Sequence, residues 1–446
     1  MKFDEYLRNR VFWFLDRIKG SPIGREKELL ERVNSLRGQD ILDYQQQALK
    51  KLLEHAQRTT AFYGKIQGEK LSDFPVITKN MLRESRADFL SSAYRQETLI
   101  PMSTSGSTGT PFTVLQDREK KDSVYSEVLY YNGKHGYQVG SRIVYLRTIN
   151  SENKKSFLQQ LRRNIFQVCC TDMGDQGMEY MFSEIRRLSR HSPVLLMGYG
   201  STFDAMERYL LRAGRERARD CHVYAMISSS EYIYDHTRQY LEETFHCRCA
   251  SRYANEENGF LGQDRDENNV FEINGAHYIV EILKMDEDLP AEPGELGRIV
   301  ITDLKNYGQP MIRYDSGDVG SMAPEPDGIP RIRGFAGRKI DLLYDTSGRE
   351  LTGFGVVMWK YSGFIRQLQI VQLGPKTYEL KLNGENIPEQ SVRDTLKSYL
   401  GADAQVTFSY EDEIPVLASG KRRAVVNLWK TREDGAISVH ELNAKK

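Results

Sequence analysis

The chain lacks net charge: 62 Lys and Arg face 62 Asp and Glu among 446 residues. No uniform basic surface is available to nucleic acid or an anionic membrane, so phosphate binding would have to come from a local site. Long apolar runs are missing too. The cluster Phe12-Trp13-Phe14-Leu15 is flanked by charges and is far too short to span a bilayer. It reads as one face of an amphipathic helix docked on the body, which argues against membrane contact. The opening Met1-Lys2-Phe3-Asp4-Glu5 has no basic stretch leading into an apolar run, so no signal peptide is expected. Cysteine is scarce and odd in number: Cys169, Cys170, Cys221, Cys247 and Cys249. That usage implies reduced thiols and a cytoplasmic setting. A one-residue spacing in His246-Cys247-Arg248-Cys249, with no second ligand pair nearby, favours buried strand cysteines over a metal site. Internal repeats, low-complexity tracts and long linkers are absent as well.

What is present is the composition of a soluble globular protein, 39% hydrophobic and 28% charged. The length calls for two or three domains. Residues 1–90 read as mainly helical, with Tyr44, Ala48, Leu49, Leu52 and Leu53 at helical spacing. Pro75-Val76-Ile77-Thr78-Lys79 looks like a turn into a helix capped by Thr78. From 95 to 260, strand-like runs (Ile143–Leu146, Val194–Met197, Val223–Ile227) alternate with helical stretches (Phe203–Ala213, His236–Phe245), the pattern of an α/β sheet layer. Residues 270–335 read as antiparallel strands with Gly and Pro turns, a small β subdomain. A compact α+β tail follows, with strands at Tyr378–Leu382 and Ala424–Leu428 and a helix from Glu389 to Tyr399.

The sharpest local signal is Ser103-Thr104-Ser105-Gly106-Ser107-Thr108-Gly109-Thr110-Pro111. Glycines let the backbone approach an anion and present N–H groups as a nest. The hydroxyls add donors for phosphate oxygens. The spacing is not that of a P-loop, since no Gly-Lys-Ser/Thr follows. Composition alone leaves a flexible surface loop equally open.

Other segments bear on that choice. The Ser/Gly stretch resembles the phosphate loop of the adenylate-forming superfamily, which includes acyl-CoA ligases, luciferases and peptide-synthetase adenylation domains. Further elements resemble that superfamily in the same order. Ser228-Ser229-Ser230-Glu231 is similar to the Gly-Ala-Glu-Pro element of the phenylacetate–CoA ligase branch. Tyr253-Ala254-Asn255-Glu256-Glu257 is similar to Tyr-Gly-x-Ser/Thr-Glu, and Arg313-Tyr314-Asp315-Ser316-Gly317-Asp318 to Arg-Tyr-x-Thr-Gly-Asp. Gly337-Arg338-Lys339-Ile340-Asp341 resembles a hinge, and Ser419-Gly420-Lys421 a C-terminal Gly-Lys loop. The segment from Leu49 to Lys79 resembles the N-terminus of phenylacetate–CoA ligases and capsule-locus CapK-type proteins.

The resemblance implies a fold and a chemistry. The expected architecture is α/β: a large N-terminal ATP- and acid-binding domain over 1–337 and a small mobile α+β lid over 338–446. The implied reaction activates a carboxylic acid with ATP to an acyl-adenylate and passes the acyl group to CoA, an amine or a hydroxyl. Surface-polysaccharide biosynthesis is one setting. By resemblance, Ser103 through Gly109 hold the phosphates, Glu257 holds Mg²⁺, and Ser229, Ser230, Glu231 and Tyr253 line the adenine. Asp318 and Arg338 reach the ribose, and Lys421 bridges carboxylate and phosphate. Tyr199 and Gly200, with Ala254 and Asn255, are candidates for the acid pocket. Tyr199 can equally pack in the core, and Glu231 can also cap the helix that follows it.

Three departures stand out: Glu256 in place of Ser or Thr, Ala254 in place of Gly, and Ile340 in place of the first hinge acid. The Cys/His zinc cluster of some branch members has no counterpart in residues 263–269, so no zinc is expected. Transfer of AMP itself and a nucleotide-binding module without turnover remain as alternatives.

Overall fold

A computed structural model describes residues 2–104, 112–149, 153–265, 268–285, 287–338, 343–351, 354–358, 361, 364–411, 414 and 425–429. The chain divides into two compact units, residues 1–316 with 320–335, and residues 317–319 with 336–446.

The first unit opens with helices α1 (Phe3–Ile18), α2 (Pro22–Val33), α3 (Gln39–Thr59) and α4 (Lys79–Glu84). Thr78 caps α4 by accepting from the Met81 N–H at 3.3 Å, the role its sequence position suggests. A hairpin of β1 (Ile100–Thr104) and β2 (Phe112–Gln116) leads into α5 (Arg118–Gly133). An alternating run follows: β3 (Ile143–Arg147), α6 (Phe157–Arg163), β4 (Ile165–Cys169), α7 (Asp175–Ser189), β5 (Val194–Gly198), α8 (Gly200–Ala213), β6 (Val223–Ser229), α9 (Asp235–Phe245) and β7 (Cys249–Asn255). The chain then turns to β8 (Gly259–Asp264), β9 (Phe271–Ile273), β10 (Tyr278–Leu283), β11 (Gly297–Asp303), β12 (Tyr314–Ser321) and β13 (Arg331–Arg338).

Strands β3 to β13 form one mixed sheet, in the order β10-β11-β12-β13-β9-β8-β7-β6-β5-β3-β4. Neighbours from β7 to β4 run parallel; β7, β8 and β9 pair antiparallel. Alternate residues of the parallel strands enter two cores. Val144, Leu146, Val194, Leu196 and Met226 pack with α7, α8 and α9. Ile143, Leu195, Met197, Ala225 and Ile227 pack with Leu129 of α5 and with Phe12 and Trp13 of α1. Burial on both faces is why these strands read as unbroken apolar runs.

The aromatic cluster of α1 does not share one face. Phe12 and Trp13 dock, whereas Phe14 and Leu15 are 63% and 47% exposed. Four consecutive residues sweep a full helical turn, so they cannot all point inward. Cys249 lies buried in β7, but Cys247 precedes the strand. Burial pushes both thiols up to about 12.

Helix α5 buries charge. Lys120 Nζ sits 2.7 Å from Asp303 Oδ2 and donates to the Tyr278 hydroxyl at 3.0 Å. That hydroxyl lies 2.9 Å from Glu127 Oε1, which also meets His277 Nδ1 at 2.6 Å. On the far side of His277, 2.7 Å away, lies Glu26 of α2. Burial works to raise the Glu26 carboxyl, but His277 and Lys305 outweigh it and hold the group at about 2.

The second unit contains β14 (Leu343–Tyr344), β15 (Glu350–Leu351), α10 (Phe354–Met358), β16 (Ile365–Gln372), β17 (Thr377–Gly384), α11 (Glu389–Leu400), β18 (Gln405–Tyr410) and β19 (Val425–Asn427). Its main sheet runs β18-β17-β16-β19, antiparallel at the centre and parallel at both edges. Val392, Leu396 and Leu400, at i, i+4 and i+8 of α11, close the core against Ile370, Tyr378, Leu380 and Leu382.

Candidate active site

In open α/β sheets, ligands bind at the carboxyl ends of the parallel strands. Three candidate segments emerge along that edge. Gly198 of β5 pairs with Ser228 of β6, and Ser229 with Arg252 of β7. Tyr199 and Gly200 therefore leave β5, Ser229 to Glu231 leave β6, and Tyr253 to Asn255 end β7 with Glu256 and Glu257 in the turn that follows, all at one edge.

Tyr199 stands at the N-cap of α8 and is buried in the core; burial pushes its hydroxyl up to about 12. Gly200 has no room for a side chain: a Cβ there would lie 2.1 Å from the Tyr232 carbonyl oxygen. That close approach lets the 231–232 backbone cross the start of α8. Glu231 Oε2 accepts from the Ser201 N–H at 2.9 Å. Its capping partner is thus α8, not the helix that follows it in sequence. That helix, α9, begins at Asp235 with Tyr234 at its N-cap, leaving Glu231 outside its first turn. Ser230 takes a left-handed φ of 70° and is exposed, while Ser229 is half-buried.

The Tyr253 ring packs against Phe335 at 4.9 Å and Phe271 at 6.0 Å. Ala254 faces Phe260 across a bulge in the β7–β8 pairing. Asn255 Oδ1 accepts from the Asn258 N–H at 2.7 Å and closes the turn that carries both acids. Glu256 is exposed on that turn and Glu257 is buried.

Glu257 meets groups from three distant segments. Lys79 Nζ approaches its Oε1 at 3.5 Å, and the Tyr314 hydroxyl donates to the same oxygen at 3.4 Å. Gln116 of β2 donates to its backbone carbonyl at 3.3 Å. Lys79 also lies 4.7 Å over the ring of Phe112, the residue with which β2 begins. Thr104 pairs with Phe112, and the Ser103 hydroxyl lies 2.8 Å from that of Thr113. A lysine and a carboxylate therefore stand where the strands flanking the Ser/Gly loop end. Ser105, Gly106, Ser107, Thr108 and Gly109 themselves lie outside the described residues.

The approach of Lys79 is built by Arg313. The bridge Ile77–Tyr314 is secured on both sides, Ile77 N–H to the Arg313 carbonyl and Asp315 N–H to the Ile77 carbonyl, each 2.9 Å. Arg313 holds a left-handed φ of 54° that a non-glycine adopts only when over-determined. Its guanidinium donates to Glu281 at 3.1 Å and to the Phe74 carbonyl at 2.9 Å, and its N–H donates to Thr302.

Asp318 is buried on β12 and Arg338 ends β13. Lys421, like Ile340 and Asp341, lies outside the described residues.

Lys79 is the residue that sequence reasoning passed over. A signal was present: a cation in the first turn of a capped helix sits at the positive end of the dipole, an unfavourable place unless an anion offsets it.

The donor set fits a magnesium nucleotide. Glu231 Oε1 and Ser228 Oγ are buried without a hydrogen-bond partner among the described residues. Buried polar atoms are normally satisfied, so such a group at a strand edge is free for a ligand. Mg²⁺ is commonly held by one or two carboxylates plus substrate phosphates, which a single buried Glu257 can serve.

No protein-family model and no curated protein matches the chain. Solved structures do. A 2-hydroxyisobutyryl-CoA ligase in its postadenylation state, in complex with 2-HIB-AMP, superposes with a TM-score of 0.67 at 15% identity, covering 88% of this chain and 91% of that one. The fold is that of the acyl-CoA ligases. The same ligase with 2-HIB-AMP and CoA in the thioesterification state gives 0.54 at 16% identity, covering 93% and 94%. An anthranilate CoA ligase in complex with anthranoyl-AMP gives 0.50 at 13%, covering 79% and 70%. The shared architecture is a large N-terminal part with a big mixed sheet and a small C-terminal part.

Proposed function

We propose that this protein is an AMP-forming ligase that activates a small carboxylic acid with ATP and transfers the acyl group to an acceptor. The observation that carries the reading is the Lys79–Glu257–Tyr314 cluster at the end of the hairpin whose loop is the Ser/Gly-rich segment. The ligase-like fold and the orphaned acceptors at the strand edge add support. The matched ligases hold acyl-adenylates and CoA, which favours CoA as acceptor. The CapK-like N-terminal segment keeps a surface-sugar amine or hydroxyl as the second acceptor class.

In the first step a substrate carboxylate oxygen bonds to the α-phosphorus of ATP, and the bond to the bridging oxygen breaks to release pyrophosphate. Two anions must meet, so charge has to be neutralised and held in line. Lys79 and the loop from Ser103 to Gly109 receive the pyrophosphate end. Glu257 would hold Mg²⁺, which when bound screens the phosphates as a Lewis acid. Glu231 and Ser229 line the adenine, and Asp318 accepts from the ribose hydroxyls beside Arg338. In the second step the acceptor attacks the acyl carbon and AMP leaves. Residues 338–446 act as the lid that excludes water from the mixed anhydride.

The test is ATP–pyrophosphate exchange against aryl, fatty, amino and hydroxy acids, with and without CoA. Exchange with one acid class establishes activation and names the substrate. No exchange with any, together with ATP binding, would replace this reading with a nucleotide-binding protein without turnover. AMP found covalently on a product would replace it with nucleotidyl transfer.

Two variants probe the assignments. Lys79→Met should raise the KM for ATP tenfold or more, because a hydrogen bond to a charged group contributes about 1.5–3 kcal/mol; an unchanged KM removes Lys79 from the phosphate site. Asp318→Ala should raise it by a similar factor, and normal nucleotide affinity would take Asp318 out of the ribose site.

A further inference from the structure

The outer face of α1 has no partner within the described chain. Phe3, Leu7, Val11, Phe14 and Ile18 follow one another at steps of four, four, three and four, and all are exposed, Phe3 by 80% and Ile18 by 66%. Such spacing is a continuous apolar stripe. Helix α6 extends it with Phe157 and Leu158, 67% and 75% exposed. The two helices are tied together where Arg8 Nη1 donates to the Arg162 carbonyl at 3.3 Å. A contiguous apolar patch of this kind marks an interaction surface.

The charges around the stripe are sorted by sign. Two of the three acids on α1 are used internally. Asp16 is buried and accepts from the N–H groups of Ile23 and Gly24 at 3.1 and 2.9 Å, starting α2. Glu5 is buried and accepts from the Lys2 N–H at 3.0 Å. Asp4 lies 3.4 Å from His191. What remains exposed along α1 is Lys2, Arg10, Arg17 and Lys19, and around α6 Lys154, Lys155, Arg162 and Arg163. In a chain of zero net charge this one-signed rim is local to the patch.

From this arrangement we propose that the α1–α6 face docks on an anionic lipid surface. Apolar and aromatic side chains on one face with Lys and Arg beside them are what an interfacial helix requires: the stripe enters the acyl boundary while the cations meet headgroup phosphates. A second copy is a poor occupant, because a two-fold contact would bring cation against cation. No helix among the described residues is long and apolar enough to cross a membrane, so the contact is peripheral. The proposal is independent of the adenylation reading.

The test is co-sedimentation of the full chain with vesicles of phosphatidylcholine alone and of equal parts phosphatidylcholine and phosphatidylglycerol. Binding is expected only to the anionic vesicles and should weaken as salt rises. The double variants Phe14→Ser/Ile18→Ser and Arg10→Glu/Arg17→Glu should each lower the partition coefficient by roughly tenfold or more, with circular dichroism and nucleotide affinity unchanged because the replaced side chains are exposed. Failure to bind anionic vesicles, equal binding to both kinds, or indifference to either double variant would overturn the proposal. A dimer in light scattering that Phe14→Ser/Ile18→Ser abolishes would instead assign the face to a second copy.

Discussion

Lys421→Ala is expected to lower ATP–pyrophosphate exchange about 10²–10³-fold, the usual cost of removing one preorganised group from a developing charge. In the transition state the carboxylate oxygen closes on the α-phosphate and gives up charge while negative charge builds on the bridging oxygen that leaves with pyrophosphate. A cation set between them stabilises that state more than the bound substrates, so the loss should appear in kcat rather than in the KM for ATP. The same variant should use a supplied acyl-adenylate at nearly the wild-type rate, because acyl transfer no longer involves two anions. Measuring both half-reactions on one preparation decides the matter. Equal losses in the two would mean that Lys421 supports the fold or the acceptor site rather than bridging carboxylate and phosphate.

The second large effect concerns stability. Lys120→Met should destabilise the first unit by about 3–5 kcal/mol, the cost of breaking a buried ion pair by deleting one partner. Lys120 and Asp303 are both fully buried, and the ammonium is shared with the Tyr278 hydroxyl. Methionine matches the length of the lysine stem, so little packing is lost and the effect isolates the uncompensated carboxylate. Adding Asp303→Asn should recover part of the loss by removing that charge, while still accepting from the Lys305 N–H as Asp303 does at 2.9 Å. Urea unfolding of the single and double variants reads both. A single variant within about 1 kcal/mol of wild type would show that the pair is no more than an exposed one in energy.

The network around Lys120 also shows why parts of this fold were hard to read from sequence. Helix α5 buries Lys120, Ser123, Ser126, Glu127 and Asn132 together with Leu129 and Tyr131, so its inward face is mixed and no continuous apolar stripe announces it. Its hydrogen bonds are made to residues far along the chain: Lys120 to Tyr278 spans 158 positions. By contrast, α3 and α11 stand out because each buries an ordinary apolar face. The parallel strands stand out because both of their faces are buried.

The candidate site divides in the same way. The sequence alone determined the order of the motif segments, the helix start at Thr78 and the strand–helix alternation, because capping chemistry and side-chain periodicity act within a few residues. Only the tertiary structure decided that Lys79 meets Glu257 and that Tyr314 joins them from 57 positions away. It also decided that Glu231 caps α8 rather than the next helix, and that half of the α1 aromatic cluster faces out. Those outcomes depend on which edges of the sheet are brought together and which faces are left over once the cores are filled. Local periodicity carries no information about either.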